Sequence, residues 1–349
     1  MTTPTPKSHS HANQEPGTRN QERFTNWGII GPGRIAHKFA QGLAVIPDAR
    51  LTAVASRSLD RAKKFAGKYN IPYAYEGYDK ILSNAEVDIV YIATPHSEHF
   101  NNTLMCLEDK MPVLCEKPFT INLKQLASLV EVARSKKVFM MEAIWSLFLP
   151  SVQKVLEIRD SGRLGKIRGM IADFCFNLPY DPEHRGYNLE LGGGALLDIG
   201  IYPVFLALLT MGRPDEITSM AVLAPTGADE SCSMLFKYKN QAIADLKCSF
   251  TSDGPVEATF LFEKGRVRIN RKWFTPSTMS VIDEKEHVGE LSFDHGGNGY
   301  HYEAIESMRC LTEGLTESPM LPLSFSLELM EILDEIRRQC GIVYPLHDN

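Results

Sequence analysis

From Asn26 onward, short runs of apolar residues alternate with segments whose apolar positions recur every three to four residues. A short apolar run fits a buried strand, and the helical recurrence fits a helix with one face in a core. Read this way, 27–30, 51–55, 88–93, 111–115 and 138–141 are strands, and 34–45, 59–69, 98–109 and 123–134 are helices. In 59–69 the spacing falls on Ala62, Phe65, Ala66 and Tyr69. Strands alternating with helices imply a parallel sheet with right-handed crossovers, covered on both faces.

After Pro150 the pattern changes. A helix at 152–160 leads into period-two segments at 167–176, 217–223, 231–238, 241–250, 257–262 and 265–269. Several are joined by tight polar turns such as Tyr238-Lys-Asn-Gln241, the mark of antiparallel hairpins. Helices at 195–211 and 324–339 complete this half, the second stopped by Gly341. The chain therefore predicts an α/β protein. A Rossmann domain with a doubly wound parallel sheet spans 24–145. A catalytic α+β domain with a large, mostly antiparallel open sheet spans 146–349. Residues 1–23 carry almost nothing apolar and predict a disordered tail without the apolar stretch of a secretory signal.

Composition narrows the function. The net charge is −6, with lysines and arginines scattered among carboxylates, which argues against nucleic-acid or anionic-membrane partners. The seven cysteines (Cys106, Cys115, Cys175, Cys232, Cys248, Cys310, Cys340) form no CxxC pair and read as reduced thiols of a cytoplasmic protein. No metal site is expected; His9 and His11 in the tail lack further ligands. The longest apolar stretches, such as 204–211, fall short of the ~20 residues that span a bilayer.

Gly31-Pro32-Gly33-Arg34-Ile35-Ala36 follows the first strand and opens the first helix. Such glycines permit a tight turn and close approach of a pyrophosphate, with helix N–H groups facing that anion. An NAD site usually places an acid about 20 residues later, at the end of the second strand. Here the chain reads Ala55-Ser56-Arg57-Ser58, with Arg61 one turn on. Hydroxyls and guanidinium groups suit a 2′-phosphate, so the cofactor reads as NADP. Dual use with NAD is the alternative these residues leave open.

Two stretches carry candidate chemistry. Cys115-Glu116-Lys117-Pro118 ends a parallel strand, at the edge where doubly wound sheets bind ligands. Asp198 and Tyr202, four apart among apolar neighbours, share a helix face as a buried polar pair. Taken singly, the lysine reads first as a surface charge, and a helix-anchoring Tyr–Asp bond is the plain alternative for the other pair. His96 and His99, after the strand ending at Ala93-Thr94-Pro95, read alone as capping or core histidines.

Together these motifs resemble the glucose–fructose oxidoreductase/inositol dehydrogenase (Gfo/Idh/MocA) family, in particular its dimeric branch acting on trans-dihydrodiols or D-xylose. The resemblance rests on Gly31-Pro-Gly33, Val113-Leu-Cys-Glu-Lys-Pro118, Met141-Glu-Ala-Ile-Trp145, Gly193-Gly-Ala-Leu-Leu-Asp-Ile-Gly-Ile-Tyr202, Gly299-Tyr-His-Tyr-Glu-Ala304 and Glu317-Ser-Pro-Met-Leu-Pro322. It implies an NADP-dependent oxidoreductase that moves a hydride between nicotinamide and a secondary alcohol or carbonyl of a sugar or cyclic diol. Lys117 and Tyr202 would meet beside the nicotinamide, with Tyr202 as acid/base and Asp198 in support. A nearby ammonium would draw the Tyr202 phenol down from its ordinary pKa of ~10. Thr94, Pro95, His96, His99 and Glu116 would border the nicotinamide and ribose. Trp145 and Arg185 are candidates for the substrate wall, and 294–300 for a rim.

One position departs from the pattern: Leu147 stands where dihydrodiol-type relatives carry arginine. The competing classes are a non-catalytic dinucleotide sensor of the same fold and an oxidoreductase that retains its nucleotide. An open sheet with one bare face also predicts association, as a homodimer.

Overall fold

The computed structural model describes residues 24–348; the expected tail, with His9 and His11, lies outside them. The first half forms six strands: β1 (Thr25–Ile30), β2 (Ala49–Ser56), β3 (Tyr73–Glu76), β4 (Ile89–Ile92), β5 (Val113–Glu116) and β6 (Met140–Ala143). They align in the order β3-β2-β1-β4-β5-β6, every pair parallel. Helices α1 (Arg34–Leu43), α2 (Leu59–Tyr69), α3 (His96–Glu108) and α4 (Leu123–Lys136) make the crossovers. The order reverses between β1 and β4, and a doubly wound sheet opens its ligand crevice at that reversal. β4 and β5 are buried along their whole length, as strands covered on both faces must be.

Helix α5 (Pro150–Asp160) leads into a second sheet, which contains β7 (Ile167–Cys175), β8 (Glu216–Leu223), β9 (Asp229–Lys237), β10 (Ile243–Ser249), β11 (Ala258–Phe262), β12 (Gly265–Ile269), β13 (Met279–Asp283) and β14 (Val288–Leu291). Their order is β14-β13-β12-β11-β7-β10-β9-β8, antiparallel except for the β10–β7 pair. One face is covered by α6 (Ile201–Met211) and α8 (Leu323–Cys340). On the other, Ile171, Met220, Leu235 and Ile243 stand exposed, and the strand register puts them on the same side.

The expected helix 195–211 has two parts. Leu196–Gly200 is a π-helical turn and the regular helix begins at Ile201. The π turn inserts an extra residue per turn, so it aims Asp198 differently from a plain α-helix. The run Leu189–Met211 is also longer and more apolar than the sequence reading allowed, long enough to cross a membrane by length and composition, yet its most apolar stretch is 83% buried within the fold. It serves as core.

The C-terminal helix α8 ties the two halves together. Its Ser326 hydroxyl donates to Glu142 on β6 (2.7 Å), whose other oxygen accepts from the Phe119 amide (2.9 Å). Arg337 donates to the Ile121 carbonyl (2.9 Å), and Asp334 accepts from the Leu123 amide (2.8 Å). Residues 119–123 are thus pinned from the far side, and this fixes the segment that presents Lys117.

Candidate active site

The two sheets enclose a cleft of about 610 Å³ at the C-terminal edge of β1, β2, β4 and β5. Its floor is the turn after β1. Gly31 has φ +87°, and a Cβ there would lie 2.9 Å from the Thr94 side chain and 3.0 Å from the Ala93 carbonyl. Only glycine fits that turn without strain. Gly33 caps α1 with no side chain on its first-turn N–H groups, which leaves them for an anion. Pro32, Arg34 and Ile35 line the same wall.

At the end of β2, buried Ser56 accepts from the Ser58 amide, and Ser58 caps α2 by accepting from the Arg61 amide. These turns set Arg57 and Arg61 at the cleft rim, and among the described residues no carboxylate pairs with either. Tyr78, which the sequence reading missed, lines the cleft together with Arg57 and Arg61.

His96 and His99 follow β4. The His99 ring is fully buried between the carbonyls of Pro118 (2.7 Å) and Thr94 (3.0 Å). Burial pushes its pKa down to about 4 against the pull of those carbonyls, and since a carbonyl only accepts, the neutral ring donates to one of the two at a time. His96 Nδ1 meets the Gly192 carbonyl at 3.0 Å. A carbonyl only accepts, so that nitrogen carries the proton, and the bare Nε2 faces Asp198 at 3.7 Å. Burial first, then Arg185, hold the ring's pKa well below the usual imidazole range.

The centre of the site is Asp198. Lys117 Nζ donates to its backbone oxygen (2.5 Å) and to Oδ1 (3.3 Å), and an Arg185 nitrogen donates to Oδ1 (2.5 Å). Its side chain is 18% exposed. Burial alone would raise the carboxyl pKa, but Arg185 and Lys117 hold it far below the ordinary range. Asp198 is ionised at any working pH.

Tyr202 lies on α6 beside this cluster. The Trp145 indole donates to its hydroxyl (3.0 Å), and Lys117 Nζ stands 5.1 Å from its ring centroid. Here the structure corrects the expected electrostatics: burial first, then the carboxyl of Glu116, push the phenol pKa well above its ordinary value. Lys117 sits over the ring face with its hydrogen bonds on Asp198, so it does not offset that desolvation at the hydroxyl. The resting phenol is protonated.

Phe174, Phe176 and Phe274 complete the wall facing Tyr202, with Phe174 and Phe274 stacked at 3.8 Å. They escaped the sequence reading because alternation along β7 makes Phe174 and Phe176 indistinguishable from core. Trp145 stacks on Tyr300 (4.2 Å), the first residue of α7 (Tyr300–Thr312), and Asn298 donates to the Lys38 carbonyl of α1 (2.8 Å). The 294–300 stretch therefore bridges α1 to the indole. Leu147 is buried and does not line the cleft.

Comparison with known proteins agrees with this architecture. Residues 25–143 match the profile of an oxidoreductase family with an NAD-binding Rossmann fold, and residues 152–268 match the GFO/IDH/MocA C-terminal domain. The chain is 37% identical over 328 residues to trans-1,2-dihydrobenzene-1,2-diol dehydrogenase of Mus musculus, covering 91% of this chain and 98% of that one. The Homo sapiens counterpart is 35% identical over 329 residues, covering 91% and 98%. Among solved structures, the 3-ketoreductase KijD10 of Actinomadura kijaniata, complexed with NADP and TDP-benzene, superposes with a TM-score of 0.82 at 26% identity, over 91% of this chain and 98% of that one. Aldose-aldose oxidoreductase of Caulobacter crescentus has the same fold, with a TM-score of 0.83 at 22% identity and the same coverage.

Proposed function

The chain belongs to the Gfo/Idh/MocA oxidoreductase family, and from that premise we propose an NADP-dependent dehydrogenase that interconverts a secondary alcohol and a carbonyl on a cyclic diol or sugar. The observation that carries this reading is the convergence of Lys117, from the first sheet, with Asp198 and Tyr202, from the second half, in one cleft with the glycine turn. The residues present fit the cofactor. The Gly31 turn leaves backbone exposed where a pyrophosphate would rest, the α1 N-terminus is uncapped by side chains, and Arg57 with Arg61 supplies cations for a 2′-phosphate. Bound there, NADP supplies the hydride acceptor or donor.

The chain's own groups handle the proton. In reduction, the protonated Tyr202 hydroxyl gives its proton to the substrate oxygen as that oxygen gains negative charge. In oxidation it takes the same proton back. The Trp145 N–H donates to the Tyr202 oxygen, which leaves the phenol's own hydrogen free for the substrate and stabilises the phenolate when it forms. Lys117 spends two donors on Asp198 and keeps a third for a substrate oxygen. The phenylalanine wall suits the flat apolar face of a ring substrate, and Arg185 with His96 suits its hydroxyls. The 37% identity to a dihydrodiol dehydrogenase over nearly the whole chain supports a trans-dihydrodiol among the substrates, with D-xylose the sugar to try beside it.

We also propose a homodimer joined through the bare sheet face. Met220 is 77% exposed, Ile171 53%, Ile243 51% and Leu235 49%, all on one face of the sheet, and a second copy would cover them. Cytoplasmic residence is the companion proposal, supported by seven cysteines without a disulfide.

Three outcomes follow. NADP+ reduction with a panel of trans-dihydrodiols, D-xylose and D-glucose should detect turnover, and Tyr202→Phe should lower kcat by roughly 100-fold or more with the NADP+ Kd nearly unchanged; full turnover in the variant contradicts the assignment. Arg57→Ala should weaken NADP+ by about 10- to 100-fold and leave NAD+ alone, as read by fluorescence titration; equal effects on both would remove Arg57 from the phosphate site. Light scattering should give twice the 39.1 kDa chain mass, falling to one chain in a Leu235→Glu, Ile243→Glu variant, whereas a monomeric parent refutes the dimer.

A further inference from the structure

Gly192, Gly193 and Gly194, immediately ahead of the π turn, have no part in the chemistry above. All three are points of close approach. A Cβ on Gly192 would lie 2.7 Å from the His96 side chain and 2.7 Å from that of Ile121, and one on Gly193 would lie 2.7 Å from the Arg185 carbonyl. Gly194 has φ +142°, and a Cβ there would collide with the Asp229 carboxylate and lie 2.9 Å from the Tyr344 hydroxyl. Without side chains, the start of the π turn nests against the segment after Lys117, the loop that carries Arg185, and a third support outside the cleft.

That third support is Asp229, the first residue of β9, which is fully buried. Its Oδ2 accepts from the amide of Leu196, the first residue of the π turn, at 2.6 Å. The residue ahead of the turn, Ala195, has no side chain that could do this. A helical turn leaves its first amides without partners of its own, and an acceptor brought from elsewhere fixes where the turn starts. Asp198 follows two residues later, its amide donating to the Gly194 carbonyl at 3.1 Å. Behind Asp229 the contacts run on to the lysine side. Tyr344, fully buried, lies with its ring 4.7 Å from the Arg337 guanidinium, and Arg337 donates to the Ile121 carbonyl at 2.9 Å. Asn122 donates to the His347 carbonyl at 2.8 Å. Both partners of the Lys117–Asp198 contact are thus backed by one frame, and Asp229, Arg337 and Tyr344 all lie outside the cleft lining.

We propose that Asp229 is a positioning residue for the reaction: it caps the π turn from behind, backed by Tyr344, and so sets where Asp198 meets Lys117. Its effect on turnover rests on the dehydrogenase reading; its effect on the lysine does not. A misplacement of about 1 Å at a reacting group costs up to about 100-fold in rate, even when the altered residue is remote. The turn needs from position 229 an acceptor for the Leu196 amide. Asparagine supplies one and alanine does not. A positioning role therefore predicts rescue by the amide, whereas nucleotide binding, which uses the Gly31 turn and Arg57, stays as it was.

The test compares Asp229→Ala and Asp229→Asn with the parent in the full chain. Three quantities are read: kcat with the best substrate of the panel, the NADP+ Kd by fluorescence titration, and the rate at which acetic anhydride acylates Lys117, followed by mass spectrometry. Asp229→Ala should lower kcat by about 10- to 100-fold, leave the NADP+ Kd unchanged and speed acylation of Lys117 as Asp198 loosens its hold. Asp229→Asn should return kcat and acylation to the parent's values. Unchanged kcat and acylation in Asp229→Ala, an equal loss in both variants, or a loss confined to NADP+ affinity overturns the proposal. Should Asp229→Ala not fold, Tyr344→Leu, which keeps the cap and removes the ring behind Gly194, replaces it, with Tyr344→Phe as the conservative partner, and the same outcomes decide. A parent that turns over nothing in the panel overturns the dehydrogenase reading instead, and Lys117 acylation then decides the positioning role alone.

Discussion

Asp198 is a buried anion shared between cations from two parts of the chain: Lys117 reaches it from the end of β5, and Arg185 from the loop ahead of the π turn. A carboxylate this enclosed would cost several kcal/mol if left alone. With two cations around it, it stays ionised and in turn fixes both cations. The π turn is what makes this possible, since it presents both the backbone oxygen and the carboxylate of Asp198 to the same ammonium. The geometry of the cleft follows from that junction. Lys117 cannot move without Asp198, and Tyr202 is four residues further along the same chain segment.

The cleft lining is consequently rich in cations: Lys117, Arg185, Arg57 and Arg61 suit the oxygens and phosphates of ligands. Tyr202 stands beside Lys117 with its proton held on by burial. The C-terminal helix contributes from outside, holding residues 119–123 so that the lysine is presented from a fixed base.

Much of this was legible in the sequence because the relevant signals are local. The glycine turn sits between a strand and a helix, the absence of an acid after β2 is read directly, and Asp198 and Tyr202 fall four apart in an apolar run. Strands β3, β13 and β14 went unread. Tyr73–Glu76 has no buried position, and Val288–Leu291 is almost wholly exposed, so neither shows the hydrophobic contrast on which periodicity depends. The π turn has no sequence signature separate from a helix. Phe174 and Phe176 look like core from spacing alone, and Glu303 gave no sign of its burial, because a glutamate in a first helical turn is ordinarily a solvated charge near the helix dipole. The pKa of Tyr202 was misjudged for the same reason: a nearby ammonium was legible, its commitment to Asp198 was not.

The central claim is that Lys117 and Asp198 act as one unit. A double-mutant cycle with Lys117→Met and Asp198→Asn, read as kcat/KM for the best substrate of the panel, tests it most directly. Groups that act as a unit lose most of their effect when either is removed. The account predicts that the double variant is no worse than the poorer single variant; losses that multiply across the two substitutions would contradict it.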